Sequence, residues 1–154
     1  MESVRDATLA DLDTLVEFAG ELSAELGPKR GGALWVQRDQ RAEPLRDAFG
    51  ALLADTEAEV LIGCVDSAAV GFAVMVVERL RDGGTLARIT ELHVLPGARG
   101  IGVGEAMVAE LLDRAATRGC IGVDAPALPG HRAAKNFFEE QGFTARLLTM
   151  HRPL

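Results

Sequence analysis

Read for apolar positions alone, the chain alternates between two periods. Leu9, Leu12, Leu15, Val16, Ala19 and Leu22 recur at three- and four-residue steps. That spacing predicts a first helix running to about Leu26, and Thr8 with Asp11 makes a capping-box-like start. A short strand over residues 3–7 precedes it. Residues 27–32, Gly-Pro-Lys-Arg-Gly-Gly, read as a breaker-rich basic loop. Leu45, Phe49, Leu52 and Leu53 predict a second helix over about 39–54.

The period then shortens. Residues 59–65 are rich in β-formers, Asp66-Ser67 makes a turn, and residues 70–80 read as a long strand with Gly71 at a bulge. Residues 81–84 connect a hairpin to a strand over 85–95. Three adjacent antiparallel strands are therefore expected. A helix over 105–118 follows, closed by Gly119. Then come a short strand (120–124), a proline-bearing connection, a helix over 130–141 and a last strand over 143–152. The order is β-α-α-β-β-β-α-β-α-β in one domain of 154 residues. It predicts an α/β class with a mixed, mostly antiparallel central sheet flanked by helices.

One junction carries more chemistry than the rest. Leu95-Pro96-Gly97-Ala98-Arg99-Gly100-Ile101-Gly102-Val103-Gly104 joins the end of a strand to the start of a helix. A helix start aims free N–H groups and the positive dipole end at one spot. Glycines admit an anion close to the backbone, and Arg99 adds a fork of donors. The junction reads as a pyrophosphate cradle. A nucleotide P-loop needs Gly-Lys-Ser/Thr at the helix entry, which is missing. The dinucleotide fingerprint needs a third glycine where Glu105 stands.

The pattern that fits is R-x-x-G-x-G, as Arg99, Gly102 and Gly104. It resembles the acetyl-CoA-binding motif of the GNAT N-acetyltransferase superfamily. Ala134-Lys135-Asn136-Phe137-Phe138-Glu139-Glu140-Gln141-Gly142-Phe143 is similar to the family's A-x-x-F-Y-E-x-x-G-F segment. Two motifs at the family's usual separation are more specific than either alone. They cover roughly the C-terminal 40% of the chain, and the upstream element order agrees.

The resemblance implies a layout. The strand before the glycine loop and the strand after its helix splay apart, and pantetheine fills the wedge. Backbone contacts would come from Leu92, His93 and Val94, with the Val94 N–H facing the thioester oxygen. The pyrophosphate would sit on Arg99, Gly100, Ile101, Gly102, Val103 and Gly104. His131 stands where relatives often carry an asparagine that contacts the cofactor; it either keeps that contact or caps the following helix. Alternation puts Glu91 and His93 on one face of the strand, and either could take the proton from an incoming amine. The acceptor would be walled by the first two helices, residues 27–37 with Trp35, and the hairpin at 81–84. The implied reaction is acetyl transfer from acetyl-CoA, the co-substrate, to a primary amine of a small molecule or a protein N-terminus.

Two departures stand out. Family members commonly protonate the departing thiolate with the tyrosine of the F-Y-E segment. Here Phe138 holds that place, and the chain contains no tyrosine. Only about ten residues follow Gly142, so the usual terminal hairpin is either abbreviated or completed by a partner chain, as in a homodimer. The lost tyrosine motivates a rival reading, a non-catalytic acyl-CoA sensor. A Rossmann-like dinucleotide binder is another, because Asp124 ends a strand about 20 residues past the glycines, as a ribose-binding acid would.

Composition narrows the partners. With 16 basic and 23 acidic residues the formal charge is −7, which argues against nucleic acid or an anionic membrane as partner. No apolar run approaches the ~20 residues of a membrane span. The first residues lack a signal-peptide profile, so a cytoplasmic location is expected. Cys64 and Cys120 fit small buried thiols rather than a metal motif. The three histidines lie far apart in sequence, so no metal is expected. Lys29 and Lys135 are the only lysines; this arginine excess, with abundant alanine, points to a GC-rich bacterial genome.

Overall fold

The fold is taken from a computed structural model that describes residues 1–154. One five-stranded sheet runs in the order β1-β2-β3-β4-β5. Its strands are β1 (Glu2–Asp6), β2 (Ala58–Val65), β3 (Ala68–Arg79), β4 (Thr85–Val94) and β5 (Val123–Asp124). The first four are antiparallel neighbours, and β5 alone runs parallel to β4. The β2–β3 hairpin turns on Asp66 and Ser67, both at positive φ (48° and 73°). That is the primed-turn geometry whose twist matches the flanking strands.

Helices cover both faces. On one side α1 (Leu12–Leu26) and α3 (Leu45–Ala54) pack through Leu15, Phe18, Leu22 and Phe49 onto Ile62, Phe72 and Val74. On the other, α4 (Val103–Thr117) and α5 (Arg132–Glu140) pack through Met107, Val108, Leu111 and Phe138 onto Leu61, Ala73 and Met75. A single helical turn, α2 (Gly32–Leu34), and a widened turn (Trp35–Asp39) bridge α1 to α3. The second helix thus starts later than its apolar pattern suggests. Pro44 stands at its N-cap in an extended conformation, and its ring fixes φ and leaves no N–H to carry the helix further back.

Two bulges bend the sheet. One lies between Gly63 and Cys64, opposite the stretch from Ala69 to Gly71, where the sequence marked Gly71. The other falls at Thr90: Val74 faces Glu91, but the next pair is Met75 with Ile89. One extra residue in β4 reverses the parity of its side chains. Ala87 and Ile89 face α4, whereas Glu91 and His93 pair with Val74 and Phe72 on the α1 face. Glu91 and His93 do share a face, as alternation predicts, but the bulge decides which one.

The C-terminus departs from the sequence reading. The predicted last strand over 143–152 is not formed, and residues 144–154 take part in no backbone hydrogen bond. The strand expected over 120–124 shrinks to two residues. As the edge strand, β5 has a partner on one side only and lacks a second ladder that would extend it.

Arg5 at β1 anchors the start of α1. Its Nη1 and Nη2 each donate to Asp11 at 2.8 Å, and the Thr8 N–H also donates to Asp11 at 2.8 Å. Hydrogen bonding from Arg5, reinforced by Thr8 and opposed by burial, holds the Asp11 carboxyl below its ordinary 3.8. A depressed carboxyl pKa contributes stability above 3.8 that is lost as pH falls through the folded value. Asp11→Asn is therefore expected to cost about 1 kcal/mol at neutral pH, Arg5 being half exposed. In urea titrations the gap to the parent protein should narrow below pH 3.8. A gap independent of pH would show that the pair's charge is not what stabilises this corner.

Candidate active site

The site begins where β4 and β5 part. They pair only at Ala87 with Val123 and Arg88 with Asp124. From Ile89 onward the outer side of β4 has no strand beside it. The Leu95 N–H donates to Val70 O on β3 at 2.8 Å. Backbone alternation then turns the N–H and C=O of Val94 the other way, into the gap. The gap leads to a single turn (Pro96–Ala98) and then to the N-terminus of α4.

That N-terminus is built to stay open. Gly100 and Gly102 adopt positive φ (79° and 100°), and Gly102 is the N-cap. No side chain caps the helix, so its first-turn N–H groups keep their donors available, at the positive end of the dipole. A Cβ on Gly102 would make ordinary contact with the Glu2 side chain at 3.7 Å, whereas one on Gly100 would meet nothing within 4 Å. Gly104 is helical and faces Phe137 and Val94.

Arg99 is used differently from the sequence expectation. Its Nε donates to Val94 O at 2.8 Å, and its Nη1 and Nη2 donate to Glu25 at 3.1 and 2.7 Å. The guanidinium thus ties the loop to β4 and to the last turn of α1 instead of lying free for phosphate. Glu25 collects two more neighbours, His93 Nδ1 at 3.6 Å and His131 Nε2 at 3.7 Å. The Arg99 hydrogen bonds, helped by both imidazoles and opposed by burial, pull the Glu25 carboxyl below its ordinary range. His131 is pushed below its ordinary value by burial, with Glu25 opposing. It is the N-cap residue of α5 but makes no side-chain cap, so its neighbour is Glu25 rather than its own helix.

His93 is almost fully buried, its ring tilted against Phe18. Nε2 lies 3.2 Å from Glu21, and Nδ1 is a buried nitrogen with no hydrogen-bond partner. Glu21 and Glu25 sit four residues apart on α1, one helical turn, so both carboxylates reach the same patch of β4. Leu92 and Val94 face the α4 side of the sheet.

Glu91, also buried, opens onto a cleft lined by Ala19, Ser23, Trp35, Arg41 and Glu43 among others. Arg41 grips it: Nε donates to Oε2 at 2.9 Å and Nη2 to Oε1, while Thr90 Oγ1 donates to Oε1 at 2.8 Å. A carboxylate offers about four acceptor positions. Three are taken, which leaves one on Oε2. Arg41 also stacks over the Phe49 ring, 5.5 Å from its centroid. Trp35 both packs against the core and lines the cleft. The cleft is walled by residues 40–45 and α1, and the hairpin at 81–84 does not take part.

Glu21, Glu25, Arg41 and Thr90 escaped the sequence reading. Glu21 and Glu25 carry a faint signal, two acids at helical spacing beside the apolar stripe. Arg41 carries none, since it lies in an irregular stretch fifty residues from its partner. Phe138, at the family's tyrosine position, packs edge-on against Phe137 and Phe143 with centroids 5.4 and 5.2 Å apart. Asp124, the ribose acid of the dinucleotide reading, is engaged by Arg146 at 2.8 Å.

The sequence profile of the Acetyltransferase (GNAT) family matches residues 23–143. The chain belongs to this family. Membership makes it an acetyltransferase, and its mixed open sheet is the family fold. A transcriptional regulator from Bacillus halodurans C-125 superposes with a TM-score of 0.75 at 23% identity, covering 100% of both chains. A Trypanosoma brucei acetyltransferase gives 0.73 at 21%, again over 100% of each chain. Glucosamine-6-phosphate N-acetyltransferase from Arabidopsis thaliana gives 0.74 at 17%, over 99% of this chain and 98% of that one. At such identities these likenesses speak to fold alone. No curated protein matches the chain by sequence. No helix of this acetyltransferase is long and apolar enough to cross a membrane, and no group of three or more His, Cys, Asp or Glu side chains could hold a metal ion.

The residues present fit coenzyme A. The parted strands give a slot beside β4 beyond Arg88, and the uncapped helix start gives donors for a diphosphate. Arg99 ties that loop to Val94 O and to Glu25.

Proposed function

We propose that this GNAT acetyltransferase moves an acetyl group from acetyl-CoA to a primary amine, of a small molecule or a protein N-terminus. One observation carries the reading: β4 leaves β5 after Arg88 and runs straight into an uncapped helix N-terminus behind two glycines at positive φ. The amides from Gly100 to Gly104 would hold the diphosphate, with Arg99 keeping their loop on β4. Leu92 and Val94 would offer their backbone to pantetheine, whereas alternation turns the backbone of His93 toward β3. When bound, the co-substrate supplies the acetyl thioester. The Val94 N–H, turned into the gap, is the donor placed for the thioester oxygen as it gains charge.

The acceptor amine enters by the cleft at Glu91. The free lone pair on Glu91 Oε2 orients its ammonium, and Glu43 adds a second carboxylate to the cleft wall. Arg41 and Thr90 fill three of the four acceptor positions on Glu91, so its role is to orient the amine. The proton passes, through water, to His93, an imidazole being the commonest general base. Glu21 behind Nε2 positions the ring. The thiolate is protonated by water, since Phe138 has no proton to give.

Calorimetry with acetyl-CoA and with NAD tests the cradle; heat from NAD alone would sink it. A thiol-release assay across an amine panel tests the transfer. Tight acetyl-CoA binding with no turnover on any amine would favour the non-catalytic acyl-CoA sensor, which the missing tyrosine supports. Two variants divide the proton path. His93→Gln should lower kcat about 100-fold with little change in the KM for the amine. Glu91→Gln should chiefly raise the KM for the amine and leave kcat near the parent's. The reverse pattern would make Glu91 the base.

A further inference from the structure

We propose that Glu25 is a positioning residue of the transfer: its carboxylate takes the Nδ1–H of the imidazolium that His93 becomes when it accepts the amine proton. The proposal rests on the reading of His93 as the base and names the group that fits a buried ring for that role.

The ring stands between two acids and at rest can satisfy only one. Nε2 lies 3.2 Å from Glu21 Oε2, and Nδ1 lies 3.6 Å from Glu25 Oε2. A neutral imidazole donates from one nitrogen, an imidazolium from both. Whichever nitrogen holds the resting proton, the other turns a lone pair toward a carboxylate. Nδ1 is the one buried side-chain polar atom without a hydrogen bond. Such an atom in a folded protein calls for an explanation. Protonation supplies one, because the ring then has a donor for each acid. Nδ1 and Glu25 need close by only about half an ångström to reach hydrogen-bond distance.

The local charges agree. Glu21 and Glu25 approach from α1, and Arg99 approaches Glu25 from the loop before α4. Two carboxylates against one guanidinium leave one negative charge. His131, at the start of α5, lies 3.7 Å from Glu25 and is pushed below its ordinary value by burial, so it adds no charge at neutral pH. Glu91, on the same strand as His93, is already paired with Arg41. A protonated His93 therefore brings the group to zero, and charge out of water is tolerated where it is paired.

Glu25 is kept ready as an anion. The Arg99 hydrogen bonds hold its carboxyl below the ordinary range, so it accepts a hydrogen bond and no proton. Arg99 Nη1 and Nη2 take one acceptor position on each oxygen. A carboxylate offers about four, so a position on Oε2 stays open for Nδ1. In the transfer the amine nitrogen bonds the acetyl carbon and loses one proton, which the ring gains. The same guanidinium donates from Nε to Val94 O. One carboxylate thus steadies both the base and the start of the glycine loop.

A double-variant cycle separates these two roles. Glu25→Gln keeps the side chain's shape and removes its charge. It should lower kcat at least about tenfold in the parent, but less than about twofold once His93 is also replaced by Gln. Any change in acetyl-CoA affinity, which passes through Arg99, should be equal in both backgrounds by calorimetry. An equal loss of kcat in both backgrounds overturns the proposal and leaves His93 as the base. A His93→Gln variant with the parent's kcat overturns the base reading and this proposal with it. A second measurement needs no turnover. In protein carrying isotope-labelled histidine, acidified until the His93 ring is protonated, the Nδ1–H resonance should lie at low field, as a charge-assisted hydrogen bond requires. Glu25→Gln should move it upfield. A parent Nδ1–H at the position of a free imidazolium, or one that Glu25→Gln leaves in place, overturns the proposal.

Discussion

Gly102→Glu is expected to abolish detectable acetyl-CoA binding, a loss of at least ~100-fold or about 2.7 kcal/mol. Two effects add. Gly102 holds φ at +100°, where any side chain costs about 1–2 kcal/mol. The larger effect is electrostatic. The new carboxylate would stand at the N-cap of α4, beside Glu2, where the proposed site puts the diphosphate charge. In the free protein that position is open to about 3.7 Å, so the variant should fold. Gly102→Ala separates the terms. It carries the backbone strain without the charge and should weaken binding by about tenfold or less. Calorimetry on both variants reads the difference directly. Undiminished affinity in Gly102→Glu would remove the helix start from the binding site.

Arg41→Ala is expected to be the most destabilising single change at the acceptor cleft. Glu91 is buried, with its two oxygens held by Arg41. Removing one member of a buried pair strands the other charge, at about 3–5 kcal/mol. The 19% exposure of the Arg41 side chain sets the lower end of that range. About 3 kcal/mol corresponds to a fall in Tm of about 6–12 °C for a chain this long. The loss of the stack on Phe49 contributes a further fraction. The double variant Arg41→Ala/Glu91→Gln leaves no stranded charge and should recover at least ~1.5 kcal/mol of the loss. Two thermal melts against the single variant decide this. A change below about 2 °C in Arg41→Ala would mean that water already solvates Glu91.

The two cases differ in how far the sequence foretold them. The uncapped helix start at Gly102 was legible because it is local. Ten consecutive residues specify the strand end, the turn and the helix start, and glycine spacing alone says where the backbone must be bare. The apolar periods of Leu12 to Leu26 and of β2 to β4 were legible for the same reason, since each element's buried face repeats within its own segment. The two matched motifs likewise pointed to the family that the profile identifies.

What was hidden depends on distance along the chain. Arg41 meets Glu91 across fifty residues, and Glu25 meets Arg99 across seventy-four. Neither partner carries a local pattern, because an ion pair has no period. The sequence assigned Arg99 to the ligand on the strength of its neighbours. Folding places it on Glu25 and Val94 O instead, since α1 brings a carboxylate there. The last strand failed in the opposite direction. Residues 143–152 have strand-like composition, but a strand exists only when an edge accepts it, and within one chain none does.

The sequence by itself determined the two periods, the element order and the bare-backbone loop that opens α4, because each is written in adjacent residues. Only the tertiary structure decided three further points: which face of β4 carries Glu91 and His93, which charges neutralise them, and whether the tail is a strand. A one-residue bulge at Thr90, ion pairs between remote segments and an unfilled sheet edge settle these. Each is a relation between parts of the chain that meet only after folding.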